Sequence, residues 1–322
     1  MKRKFIIQVI LAFLTVTMLT GCGSKTKQTT SVPAASDNSS KSSDTVKTED
    51  KSKAEPINKA PDTEKAENKD TSVSKTPVVQ TPITPTVLPS TSGLSTKKIE
   101  WSWAYSPREN AALLSKYHGY AFGDTSQKCI YLTFDEGYEY GYTASILDTL
   151  KANDVKATFF VTEPYVTGTF KGVKDADLVK RMAEEGHTIG NHSVHHKSMP
   201  GITDEAAFDA ELTGVETAVS KVPGAKMSKN FRPPMGDFSE LSLYYTQKLS
   251  YKTIFFAFAY KDYDVNNQPD PESSKALILK STKPGIICLL HAESKTNATI
   301  LDSLIKEWKA EGYSFKTIEE LP

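Results

Sequence analysis

The stretch Ile130-Tyr131-Leu132-Thr133-Phe134-Asp135-Glu136-Gly137 decides how this chain is read. Its first five residues are β-branched, aromatic or Leu, as in a buried strand, and it ends abruptly in two carboxylates and a glycine. The same layout recurs downstream. Strand-like runs are expected at 130–134, 157–162, 187–191, 230–232, 253–260, 285–290 and 313–318. Helical patterns lie between them. Thr143 is expected to cap a helix burying Ile146, Leu147 and Leu150. Asp175 or Asp177 should start one carrying Leu178 and Met182, which Gly186 ends. Thr203 should cap a long one with Phe208, Leu212, Val215 and Val219 on one stripe. Ser239 and Asn297 precede two more. Strand and helix alternating in this way imply a parallel α/β fold, either a barrel or an open doubly wound sheet.

Polar residues gather where these strands stop, the edge on which α/β folds build sites. The first ends in Asp135-Glu136. The third runs into Asn191-His192-Ser193-Val194-His195-His196. The fourth ends in Arg232-Pro233-Pro234-Met235-Gly236, the fifth in Lys261-Asp262-Tyr263-Asp264 and the sixth in His291. On one helical turn, His192 and His196 would present both imidazoles to one side. Two His and a carboxylate, with a position left for water, form a common catalytic zinc set. Asp135 and Glu136 are candidate carboxylates, and His195 is expected in a solvated loop. A glycoside hydrolase built on Asp135 and Glu136 is disfavoured, because neighbouring strand residues face opposite ways.

Outside this region the chain changes character. Lys+Arg and Asp+Glu each number 39, which argues against a dedicated nucleic-acid binder. Between Ser24 and Glu100 there is no Phe, Tyr, Trp or Cys. That Ser/Thr/Lys/Pro-rich stretch cannot bury enough apolar surface to offset chain entropy, and is expected to be disordered. As a flexible coil of about 75 residues it would span roughly 50 Å. The first residues pair a basic start, Lys2-Arg3-Lys4, with an apolar run ending in Leu19-Thr20-Gly21-Cys22. This resembles a bacterial lipoprotein processing box, with residues 1–21 a signal peptide, Cys22 the lipidated residue and 22–97 a tether. Cys129 and Cys288 have opposite strand parities relative to the polar ends, so a disulfide between them is not expected.

Taken together, the five strand-end segments resemble the polysaccharide deacetylases of carbohydrate esterase family four, over residues 98–322. The resemblance implies a distorted (β/α) barrel of about seven parallel strands. It implies a divalent metal, zinc with cobalt or manganese as alternatives, held by His192, His196 and Glu136. It makes Asp135 the general base, Arg232 its orienting partner, His291 the general acid and Asp262 the partner of His291. The Met235 N–H would contribute to the oxyanion site. The wider family has Asp where this chain has Glu136, one methylene longer. Asp135-Glu136-Gly137-Tyr138-Glu139 with Gly141-Tyr142-Thr143, Phe231-Arg232-Pro233-Pro234-Met235-Gly236, and Trp101-Ser102-Trp103 resemble the delta-lactam-biosynthetic branch. That implies removal of the acetyl group from N-acetylmuramic acid in peptidoglycan, leading to the muramic delta-lactam of spore cortex. Arg232 and Lys261 are candidate cations for the lactyl carboxylate. Two alternatives are N-acetylglucosamine deacetylation and, more distantly, a non-enzymatic wall-binding lipoprotein. The expected location is outside the cytoplasm, anchored to the membrane and facing wall glycan.

Overall fold

The computed structural model describes residues 91–103 and 106–321. The signal peptide, Cys22 and all but the last residues of the 22–97 tether lie outside that range. In chain order the strands are β1 (Ile99–Glu100), β2 (Gly119–Tyr120), β3 (Cys129–Glu136), β4 (Thr158–Val161), β5 (Thr169–Phe170) and β6 (Val173–Lys174). They continue as β7 (Thr188–Asn191), β8 (Met227–Phe231), β9 (Asp237–Phe238), β10 (Lys252–Ile254), β11 (Ile286–His291) and β12 (Ser314–Lys316). The helices are α1 (Ala111–Lys116), α2 (Thr143–Ala152), α3 (Glu163–Thr167), α4 (Asp175–Glu184), α5 (Glu205–Val219), α6 (Glu240–Lys248), α7 (Pro271–Ser281) and α8 (Lys295–Ala310).

Eight strands form one sheet in the order β11-β3-β4-β7-β8-β10-β2, with β12 also on β3. Every pairing in it is parallel. All seven expected strands are present, and β2 is an eighth. The expected 253–260 strand is interrupted: after β10, Phe258 bridges Cys288 of β11 at the far end of the sheet order. The Ala257 N–H donates to the Ile287 carbonyl at 2.9 Å, and the Leu289 N–H to Phe258 at 3.0 Å. One segment thus touches both ends of the sheet and curls it into a distorted barrel. Where it leaves β10, side chains take its carbonyls: Arg232 Nε donates to Ile254 at 3.3 Å, and Trp101 Nε1 to Phe256 at 2.8 Å.

Strand alternation divides the core. On β3, Ile130, Leu132 and Phe134 pack with Leu147, Val215, Leu301 and Trp308 between sheet and helices. Cys129 and Tyr131 join Phe160, Phe231, Phe255 and Leu289 in a second cluster. Cys129 and Cys288 fall in different clusters and are both free. Ser239 caps α6 within a capping box, as expected, and Gly186 (φ 78°) follows α4, which starts at Asp175. Three caps differ from expectation by one to three residues. Tyr142 precedes α2, Asp204 rather than Thr203 caps α5, and Ser294 rather than Asn297 caps α8. In each of the last two, the oxygen in the capping position accepts the N–H three residues on.

Candidate active site

Asp135 and His291 are register partners on the adjacent strands β3 and β11, so their side chains emerge side by side. Arg232, just past β8, is buried and reaches across the barrel. Its Nη1 donates to Asp135 Oδ1 at 2.6 Å and its Nη2 to Thr133 Oγ1 at 2.9 Å. Its guanidinium lies 4.1 Å from the centroid of the Phe160 ring. Burial alone would raise the Asp135 carboxyl. The positive charges of Arg232, which also donates a hydrogen bond, and of His291 outweigh it and hold the group below the usual carboxylate range.

His192 Nδ1 donates to the Arg232 carbonyl at 2.8 Å. A carbonyl only accepts, so Nε2 keeps its lone pair. Burial pushes the imidazole down to about 4, which keeps it neutral. Nε2 stands 3.4 Å from Asp135 Oδ2, acceptor facing acceptor, an arrangement that a bound cation would relieve. The His196 ring meets that of His192 edge-on, with centroids 5.0 Å apart; His196 is more exposed, and desolvation lowers its pKa too. The two are not on a helix, as their spacing suggested. They lie in a turn with Ser193 and His196 at positive φ, fastened by the His196 N–H donating to Ser193 Oγ at 3.0 Å.

On the other side, His291 Nδ1 donates to Asp262 Oδ1 at 2.7 Å, and the His291 N–H to Asp262 Oδ2 at 2.9 Å. Burial opposes the charged imidazole, but the Asp262 carboxylate prevails and raises it to about 9. Asn297 Nδ2 donates to Asp262 Oδ2 at 2.6 Å and to the His291 carbonyl at 2.9 Å, locking the pair. Met235 adopts a left-handed backbone (φ 58°, ψ 1°). The next residue, Gly236 (φ 70°), accepts from the Trp101 N–H at 2.9 Å. Asp135, His192, His196, Arg232, Met235 and His291 all line one cleft of about 640 Å³, together with Trp103, Tyr138 and Tyr263.

Glu136, which the resemblance makes a metal ligand, is not among the residues lining this cleft. Strand parity turns it to the helix side of β3, where it is buried with Thr143 Oγ1 at 3.4 Å. Burial, with the charges of Glu139 and Glu293 nearby, raises its carboxyl well above the usual range. Among the described residues no closed cluster of three or more His, Cys, Asp or Glu side chains is poised around an ion. The donors that suit one are open: two neutral imidazoles facing the Asp135 carboxylate. The two candidates for the lactyl carboxylate are placed differently. Arg232 is already committed to Asp135, and Lys261 is exposed and does not line the cleft. His195 is mostly exposed, with Nδ1 at 2.8 Å from Glu211. Three residues went unread in the sequence. Thr133 shares the Asp135 face, so parity could have found it. Asn297 gave no signal beyond its place near a helix start. Glu293 lines the cleft with a buried Oε2 that lacks a hydrogen-bond partner, and burial raises its carboxyl to about 7.

Residues 122–254 match the family model described as polysaccharide deacetylase. The peptidoglycan-N-acetylmuramic acid deacetylase PdaA of Bacillus subtilis is 43% identical over 211 residues, which is 65% of this chain and 77% of that protein. The chain belongs to the polysaccharide deacetylase family. A Bacillus cereus peptidoglycan-N-acetylglucosamine deacetylase is 31% identical over 199 residues, 61% of this chain and 89% of the relative. The solved structure of Bacillus subtilis PdaA, a family 4 carbohydrate esterase, superposes with a TM-score of 0.66 at 38% identity. It covers 71% of this chain and 98% of that one. A family 4 carbohydrate esterase from Bacillus anthracis gives 0.59 at 39%, with 71% and 97% covered. Deacetylases of this family are metal-dependent in general, and the chain is accordingly a polysaccharide deacetylase with a barrel of the same kind.

Proposed function

We propose that this chain removes the N-acetyl group from N-acetylmuramic acid in peptidoglycan glycan strands freed of stem peptide, leading to muramic delta-lactam of spore cortex. The observation that carries the chemistry is the opposition of Asp135, ionised beside Arg232, to His291, kept protonated by Asp262. The muramate preference rests on the relative at 43% identity, against 31% for the glucosamine enzyme.

His192 and His196 would hold a divalent ion, zinc by donor type, with Asp135 rather than Glu136 as the carboxylate facing them. Such an ion supplies Lewis-acid polarisation of the acetamide carbonyl and makes water easier to deprotonate. Asp135 takes the proton from the attacking water, and Arg232 fixes the carboxylate while it does so. Negative charge then builds on the former carbonyl oxygen, where the Met235 N–H donates; Pro233 and Pro234 have no such proton to offer. His291 gives its proton to the leaving nitrogen, and the amide C–N bond breaks to acetate and a free amine. Asp262, itself held by Asn297, keeps His291 charged and aimed.

The proposal extends to the N-terminus. Residues 1–21 are a lipoprotein signal peptide, Cys22 carries the lipid, 22–97 tether the domain and 98–322 catalyse. The enzyme then works outside the cytoplasm, on the membrane face turned to wall or cortex. Among the described residues no helix is long and apolar enough to cross a membrane.

Chelation tests the metal-dependent reading directly. Acetate release should stop on chelation and return when zinc is restored, while His192→Ala should recover neither bound metal nor activity. Full activity in verified metal-free protein would overturn it.

A further inference from the structure

We propose that Tyr138 and Tyr140, braced by Phe170, form a binding platform for a second sugar of the glycan strand, next to the sugar being deacetylated. The inference rests on the glycan-deacetylase reading and adds a subsite to it.

The described surface exposes seven large hydrophobic side chains: Trp103, Tyr138, Tyr140, Val173, Met235, Tyr263 and Leu277. Trp103, Tyr138, Met235 and Tyr263 line the cleft itself. Two more continue outward from it. Tyr138 is 54% exposed and its ring is 5.6 Å from that of Tyr140, itself 41% exposed. The Tyr140 ring is followed at 6.3 Å by Phe170, nearly parallel at 27°. Phe170 belongs to the β5–β6 hairpin, where it pairs with the exposed Val173. Six of the seven thus fall in one band that starts in the cleft and runs along one side, and such bands mark binding surfaces.

The band is built, not incidental. Gly141 (φ 93°) lets Phe170 close on the Tyr140 loop; a Cβ there would be 3.1 Å from the Phe170 ring. The Gly141 N–H also donates to Glu139, whose other oxygen accepts from Tyr165 at 3.4 Å, so the loop carrying both tyrosines is tied to the protein. Exposed, fixed aromatic faces cost little entropy to use. Sugar rings present C–H faces to aromatic rings and hydroxyls to water, so a flat aromatic step suits a glycan and does not require a charged partner. Continuity with the cleft commits the platform to the same strand that enters the active site.

The test uses the full chain with peptide-free wall oligosaccharides of increasing length. In the wild type, kcat/KM should climb as the oligomer grows long enough to reach the platform. Tyr140→Ala and Phe170→Ala should each lose most of that gain, by about tenfold, as a rise in KM with kcat held, and Tyr140→Trp should keep it. Calorimetric binding of the longest oligomer to the same variants reads the platform without turnover. Weaker binding in Tyr140→Ala supports the inference even if no acetate is released, in which case the deacetylase reading alone fails. Equal binding and an equal length dependence in Tyr140→Ala and wild type would overturn the platform.

Discussion

Asp135 and Glu136 are joined by one peptide bond yet lie in opposite surroundings. The first faces Arg232 and is held ionised, while the second faces Thr143 and is pushed towards its neutral form. Glu136→Gln should therefore bind metal like the wild type, checked by elemental analysis, whereas loss of metal would restore Glu136 as a ligand. A carboxyl with a raised folded pKa contributes its full stability below the unfolded value, about 4.3, and loses it as pH rises through the folded one. Glu136→Gln should accordingly melt higher than wild type at about pH 8, with the gap closing towards about pH 4. At His291 the raised value near 9 means that the acid form persists at neutral pH. A dication nearby lowers it, so the alkaline limb of the rate profile should fall at or below that pH. Asp262→Asn should move the limb towards about 6.5 and cut kcat at pH 8 by about 10²–10⁴. An unmoved limb would refute the pairing. The polar types at the strand ends were legible because strand-end placement is a chain property. The surroundings of Glu136 were not legible from the motif, which gives residue order but not the face each residue takes, although parity was available. Asn297 and Glu293 depend on where α8 begins relative to β11, which no local pattern reveals.

At the scale of elements, the parallel strands were legible because each is a short apolar run ending in polar residues. The two-residue strands β1, β2 and β9 and the β5–β6 hairpin have no periodicity to read. α7 was missed although Asp270-Pro271 is an N-cap followed by a first-turn proline. The break after β10 could not be foreseen, since it exists where Arg232 and Trp101 accept responsibility for carbonyls that the sheet gives up. The Trp101 lead-in is held against the 234–236 turn, and there the backbone conformation requires glycine. A Cβ on Gly236 would fall 1.7 Å from the Trp101 carbonyl oxygen. Gly236→Ala should therefore lower stability by at least ~1 kcal/mol in thermal melts and reduce kcat, because Met235 shifts with the turn. Wild-type melting and rate in this variant would show that the turn does not position the site.

Across the described domain, Asp135 and His291, the proposed base and acid, sit on adjacent strands of a distorted, doubly cored barrel whose sheet ends are drawn together. That closure comes from one segment meeting both sheet ends, a long-range fact that left barrel and open sheet undecided until the resemblance favoured the barrel. The compositional change near residue 98 is the basis for the proposed division into a tether and a catalytic part. Substrate choice belongs to this scale too, because muramate must fit the cleft and its aromatic rim together. The most direct measurement offers peptide-stripped wall glycan and N-acetylglucosamine oligomers side by side, and follows acetate release and product masses. Muramic residues should lose their acetyl group first and give lactam-bearing products. Deacetylation of glucosamine alone would contradict the muramate assignment, and release of acetate from neither would contradict the deacetylase itself.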